Sequence, residues 1–112
     1  MESALQITGR ALTRHASRYL QQACEDWSEQ FPARFDQSRG RIDFDRRSSV
    51  EMSVAADVDA LDIVLRCEPQ GADELERRVE AHIQRVAQPD GALKFVWTEA
   101  DAGPATYPIF YP

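Results

Sequence analysis

Four side chains in this sequence have the chemistry of metal ligands and acid-base groups: Cys24, Asp26, His82 and His15. Thiolate, imidazole and carboxylate bind transition metals, and imidazole and carboxylate move protons near neutral pH. Cys24 and Asp26 are two residues apart while His82 lies far along the chain, so only the fold can bring them together. A metal site requires three or four converging ligands. Each residue also has a plainer reading. Cys24 on the apolar stripe of a helix acts as a small hydrophobe, and His82 among Val79, Ile83 and Val86 is a core or boundary side chain. His15, beside Arg14 and Arg18 and off the apolar stripe, faces solvent. The serines at 17, 28, 38, 48, 49 and 53 sit in no G-x-S-x-G or comparable turn, and neither histidine has a serine neighbour, so nucleophilic hydrolysis lacks its machinery.

The elements that must position these residues can be read from periodicity. From Thr13 to Phe31 the apolar residues Ala16, Tyr19, Leu20, Ala23, Cys24, Trp27 and Phe31 recur at steps of three and four, which predicts a helix with one buried stripe. Thr13 reads as its N-cap and Pro32 as its end. A second helix is expected over Ala72 to Gln88, with Asp73, Glu74 and Glu76 in its first turns and a stripe of Leu75, Val79, His82, Ile83 and Val86. The segments around these helices alternate with a period of two: residues 4 to 12, ARFDQ, RGRIDFD, SSVEMSVAA, ALDIVLRCE and LKFVWTE. The predicted order is β-α-β-β-β-β-α-β. Each strand has one apolar face, so the expectation is a two-layer α+β domain, a largely antiparallel sheet with both helices on one face.

At 112 residues and 43% apolar content, the chain is expected to form a single domain over 1–112, with its compact core over about 4–98. The stretch from Asp101 to Pro112, DAGPATYPIFYP, stands apart. Its prolines at 104, 108 and 112 forbid helix or central strand, yet Tyr107, Ile109, Phe110 and Tyr111 call for apolar cover, supplied by its own domain or by a second copy. A homodimer through this tail is one expectation. The net charge of −6 disfavours general binding to nucleic acid or anionic membrane. No run is long enough to span a membrane, the N-terminus lacks signal-peptide character, and two distant cysteines make neither a disulfide framework nor a C-x-x-C motif, which together point to a cytoplasmic protein.

Arg39, Arg41, Arg46 and Arg47 could meet an anion, but Asp36, Asp43 and Asp45 are interleaved with them, which favours a mixed-charge solvated surface. Tyr19, Trp27, Phe31, Phe44, Phe95 and Trp97 are core positions by periodicity, some of which could line a ligand pocket between helices and sheet.

The runs T-R-H-A-S-R-Y-L-Q-Q-A-C-E-D-W, F-D-Q-S-R-G-R-I-D-F and V-E-A-H-I-Q-R-V-A, with a later W-T strand, resemble the DUF2218 family of small uncharacterised bacterial domains over roughly residues 4 to 98. That resemblance implies an accessory or ligand-binding domain linked to iron or siderophore metabolism, since members are often encoded near or fused to siderophore-interacting and iron-uptake proteins. It establishes no reaction. The family's first helix commonly carries Cys, any residue, His; here Cys24 is followed by Glu25 and Asp26, while the histidine of the second helix is kept as His82. An acid at that place suits a harder cation than an imidazole would. The residues expected to line a small-molecule site are Cys24, Trp27 and His82. The alternative is a metal- or thiol-dependent enzyme acting on an iron chelate or another small molecule. Neither a metal nor a cofactor is specified by the sequence.

Overall fold

The computed structural model describes residues 5–101, so the expected tail contacts of Ala102 to Pro112 lie outside the described residues. Its elements run β1 (Leu5–Leu12), α1 (Ala16–Trp27), β2 (Ala33–Phe35), β3 (Arg39–Asp43), β4 (Ser49–Val54), β5 (Ala60–Cys67), α2 (Ala72–Ala87) and β6 (Phe95–Asp101). This is the α+β order that the alternation and helical stripes predict. The strands form one sheet in the order β2-β3-β4-β5-β1-β6, and every ladder is antiparallel.

The four strands β2 to β5 make an antiparallel meander, and β1 then fits between β5 and β6. Because β1 is antiparallel to both neighbours, β5 and β6 run parallel to each other. A crossover is therefore needed between them, and α2 supplies it. On β1, Ile7, Gly9 and Ala11 are buried while Thr8, Arg10 and Leu12 are exposed; on β5, Leu61, Ile63, Leu65 and Cys67 are buried. That period of two puts one face of the sheet against the helices. The core joins Ile7, Ile42, Val50, Met52, Ile63 and Leu65 from the sheet to Leu20 and Cys24 from α1 and to Leu75, Val79 and Ile83 from α2. Burying one such aliphatic side chain contributes roughly 1.5–3 kcal/mol.

The first helix is shorter than the apolar pattern alone implies, while α2 keeps its expected extent to within one residue. Thr13 does not cap α1: its Oγ1 accepts from the His15 N–H at 3.0 Å within the preceding turn, and its own N–H donates to the Asp59 carbonyl, continuing the β1–β5 edge. Position 15 forms the helix boundary without a side-chain cap. At the other end α1 stops at Trp27, where Ser28, Gln30 and Phe31 donate into closing turns, so Phe31 packs from a turn and not from the helix stripe. In α2 the acids Asp73 and Glu74 occupy the first turn and Arg85 the last, each opposite in sign to its end of the helix dipole. A 3₁₀ turn over Gln88–Asp90 follows, and Gly91 takes φ +116°, a conformation that favours glycine.

Two close approaches fix where the helices and β6 sit. A Cβ added at Gly40 would lie 2.5 Å from Cys24 Sγ, and one at Gly9 would lie 2.6 Å from the Trp97 ring. Glycine at position 40 thus lets α1 press its sulfur onto β3. The Trp97 ring covers Gly9 and its Nε1 donates to Glu80 Oε1 at 2.7 Å, which ties β6 to α2.

Candidate functional site

The alternating and helical stripes bring two of the three expected site residues into contact. Trp27 ends α1 and His82 lies midway along α2, and their rings stack with centroids 4.4 Å apart and planes inclined by 26°. Phe44, just past β3, meets Trp27 edge-on at 5.5 Å and Phe31 edge-on at 5.0 Å. Beside this aromatic group opens a cleft of about 270 Å³, lined among others by Trp27, Phe44, Arg78, His82 and Arg85.

Cys24 takes a different place. It is fully buried one turn before Trp27, with its sulfur directed at Gly40 on β3. Burial pushes its thiol up to about 12, so at neutral pH it remains protonated. Cys67 is likewise buried. Asp26, in contrast, comes to the histidine: its Oδ2 lies 3.5 Å from His82 Nε2, while its Oδ1 accepts from Gln22 Nε2 at 3.0 Å. His15 is remote, exposed and edge-on to Tyr19 near the start of α1, about 18 Å along the helix axis from Trp27. Among the described residues no group of three or more His, Cys, Asp or Glu side chains could hold a metal ion.

The electrostatics of His82 are unusual for a half-buried histidine. Its pKa is held below the ordinary value chiefly by burial; Asp26 pulls it back up and Arg85 pushes it further down. At neutral pH the ring is therefore uncharged. Its Nε2 is buried and makes no hydrogen bond among the described residues, with the Asp26 carboxylate 3.5 Å away, at ion-pair range. A buried polar atom left in this way costs about 1–3 kcal/mol. A movement of a few tenths of an ångström would close the pair.

Arg78 and Arg85 complete the cleft. Arg78 places its guanidinium 6.0 Å from the centre of the Phe44 ring, and both arginines are exposed. Neither is ion-paired among the described residues, whereas Arg41 is held by Asp43 and Glu51, and Arg47 by Glu68. Of the hairpin arginines, Arg41 thus meets one of the interleaved acids, Asp43. The sequence held a signal for the cleft: Arg78, His82 and Arg85 are spaced i, i+4, i+7, which places three nitrogenous side chains on one face of α2. Attention to the apolar stripe alone passes over it.

A second concavity of about 760 Å³ lies on the sheet face away from the helices, between Thr8, Arg10, Val64, Lys94, Val96 and Thr98. Leu12 and Val96 stand 70% and 64% exposed there. No histidine, cysteine or stacked aromatic pair faces it.

No helix among the described residues is long and apolar enough to cross a membrane. A solved protein with the same arrangement is PA4090 from Pseudomonas aeruginosa, determined by NMR; it shares 26% identity and superposes with a TM-score of 0.67 over 84% of this chain and 95% of that one. No curated protein matches the sequence. The pattern of an uncharacterised protein family conserved in bacteria, DUF2218, matches residues 8–98, which takes in both helices, the cleft and all but the outer ends of the sheet. The chain belongs to the DUF2218 family.

Proposed function

We propose that the protein is a small-molecule-binding accessory domain whose ligand enters the cleft at the Trp27–His82 stack. The observation that carries this reading is the cleft beside the Trp27–His82 stack, where the half-buried rings of Trp27 and Phe44 meet two exposed arginines, Arg78 and Arg85. Cys24 contributes from below, fastening α1 to Gly40 so that Trp27 is delivered to α2. The link to iron or siderophore metabolism and the cytoplasmic location come from the family resemblance and the sequence and belong to the same proposal, as does self-association through the apolar tail 101–112. Native mass spectra of the full chain and of a chain ending at Asp101 should differ in oligomeric state; equal monomeric masses would remove the dimer.

Thermal-shift screening with siderophores and flavins tests the binding role. A ligand present at 100 times its Kd stabilises the fold by about 2.7 kcal/mol, a readable rise in Tm. The rise should disappear in His82→Gln. A rise that persists in that variant would put the ligand elsewhere, for example on the open sheet face.

An enzymatic reading is favoured by one specific observation, the Asp26–His82 pair at 3.5 Å. A carboxylate that orients an imidazole leaves Nδ1 as a general base. In that reading His82 moves the proton, and a thiol-dependent step would need Cys24 to ionise against the burial that raises its pKa. Elemental analysis of purified protein separates the metal-dependent form: one equivalent of metal, lost in His82→Ala, would favour it over simple binding.

A further inference from the structure

We infer that the cleft takes a small planar anion of the aromatic carboxylate class, an inference that rests on the ligand-site reading above and specifies its chemistry. The chain as a whole is acidic, with a net charge of −6, yet no acidic side chain lines this cleft. Arg78 and Arg85 line it instead, and neither is ion-paired among the described residues. Guanidinium groups free of a carboxylate partner at a concave site are the usual receptors for carboxylate or phosphate.

The choice between those anions follows from the walls. Trp27 and Phe44 give the cleft flat apolar surfaces set edge to face, and Val79 adds to them. A tetrahedral phosphate would meet the two cations and gain nothing from the half-buried Trp27 and Phe44 rings, whereas an aromatic carboxylate adds apolar contact with them. The volume of about 270 Å³ is small for a drug-sized ligand and suits a single substituted ring.

The spacing of the arginines adds a further restriction. Positions 78 and 85 are seven residues apart, about 10 Å along the axis of α2. Two arginine side chains rooted that far apart along one cleft can each meet one end of a ring that carries a carboxylate at both ends. His82 lies between them. The charged groups nearby are Asp26, on the α1 side of His82, and Asp45 and Glu74, in the adjoining depression they share with Phe44 and Arg78. These acids stand outside the cleft's lining, so an anion within it meets the two cations first.

The test is an amide NMR titration of the full chain with four probes: terephthalate, benzoate, benzamide and inorganic phosphate. Terephthalate should shift the Trp27 indole and His82 signals and bind at least about fivefold more tightly than benzamide, with benzoate between them. Arg78→Gln and Arg85→Gln should each weaken terephthalate by about fivefold, the scale of an exposed charge pair, and leave benzamide unchanged. Both side chains are exposed, so the variants should fold as the parent does. Equal affinity for benzamide and terephthalate would overturn the anion and keep the cleft as a ligand site. Phosphate binding as tightly as terephthalate would overturn the aromatic class. Absence of any shift at Trp27 and His82 with all four probes would overturn this inference, and a siderophore or flavin screen that is also blank would take the ligand site with it.

Discussion

Replacing Gly40 with alanine tests whether the distance between α1 and the sheet is set by one sulfur. The new Cβ would stand 2.5 Å from Cys24 Sγ, 3.2 Å from Phe35 Cβ and 3.3 Å from Leu20 Cδ2. Ordinary contacts between such atoms are about 3.5–4.0 Å, so the sulfur must retreat by roughly 1 Å. It has nowhere to go, because Cys24 and Leu20 are both fully buried. Either the whole of α1 lifts or β3 bends. Overpacking of this kind costs about 1–3 kcal/mol, and with a urea m-value of about 1–3 kcal/mol/M the unfolding midpoint should fall by about 1 M. Cys24→Ala alone leaves a small void and costs about 1 kcal/mol. The double variant is decisive: with the sulfur gone the closest clash at position 40 is relieved and only the contacts to Phe35 and Leu20 remain tight, so its cost should fall short of the sum of the two single costs by at least about 1 kcal/mol. Because Trp27 lies one turn beyond Cys24 on the same helix, Gly40→Ala should also loosen the stack on His82, visible as a change in the ring-current shifts of the imidazole protons. A midpoint unchanged in Gly40→Ala, or two costs that simply add, would refute the argument.

Two further outcomes follow from the polar groups. Tyr19 is buried and its hydroxyl donates to Asp90 Oδ2 at 2.8 Å, which is the largest reason that the Asp90 pKa lies below its ordinary value. Tyr19→Phe should cost about 1 kcal/mol by urea unfolding and raise the Asp90 pKa in a carboxyl NMR titration; since a lowered carboxyl pKa contributes stability that is present above the unfolded value and lost as pH falls through the folded one, the variant should lose less stability on acidification. For Cys24 the sign is reversed: its pKa rises from 9.0 to about 12, so the protonated thiol stabilises the fold fully below pH 9 and that contribution is lost as pH climbs towards 12. Denaturation midpoints should therefore fall over that window in the parent protein and fall less in Cys24→Ala.

The legible part of this fold is what depends on local periodicity. The alternation along β1, β4 and β5 has a period of two, which burial against one covered face imposes, and the stripes of α1 and α2 have the helical period. What could not be read is whatever depends on pairing between distant segments. The insertion of β1 between β5 and β6 leaves no local trace, because each strand of an antiparallel sheet looks the same to its neighbours in sequence. The early end of α1 was hidden for a related reason. Phe31 keeps the helical spacing from Trp27, yet it reaches Phe44 from a turn, and only the tertiary position of Phe44 distinguishes the two cases.

The candidate site divides along the same line. That Trp27 and His82 carry buried faces was evident from their stripes; that they meet was not. Cys24 shares the stripe of α1 with Trp27, but one turn of helix is enough to aim its sulfur at β3 and the indole at α2. Asp26, off the apolar stripe, arrives at His82 because it is one residue from Trp27 and the imidazole is wide enough to touch both.

The relation between the two helices explains why the unsatisfied histidine lies where it does. Tyr19 meets Asp90 and Trp27 meets His82, so a step of eight residues forward along α1 is matched by a step of eight backward from Asp90 into α2. That is the register of an antiparallel helix pair, with contact points about 12 Å apart along the axes. At one end the pair is closed by a satisfied clamp, where the Tyr19 hydroxyl and the Arg18 guanidinium both donate to Asp90. At the other end the equivalent contact is aromatic: the Trp27 ring covers the imidazole face, Asp26 stops short of Nε2, and nothing else among the described residues reaches that atom. A fold that needed only to hold its helices together could have repeated the clamp. Closing one end with hydrogen bonds fixes the register of the pair, and the aromatic end is left beside the arginine-lined cleft that the proposed ligand would enter.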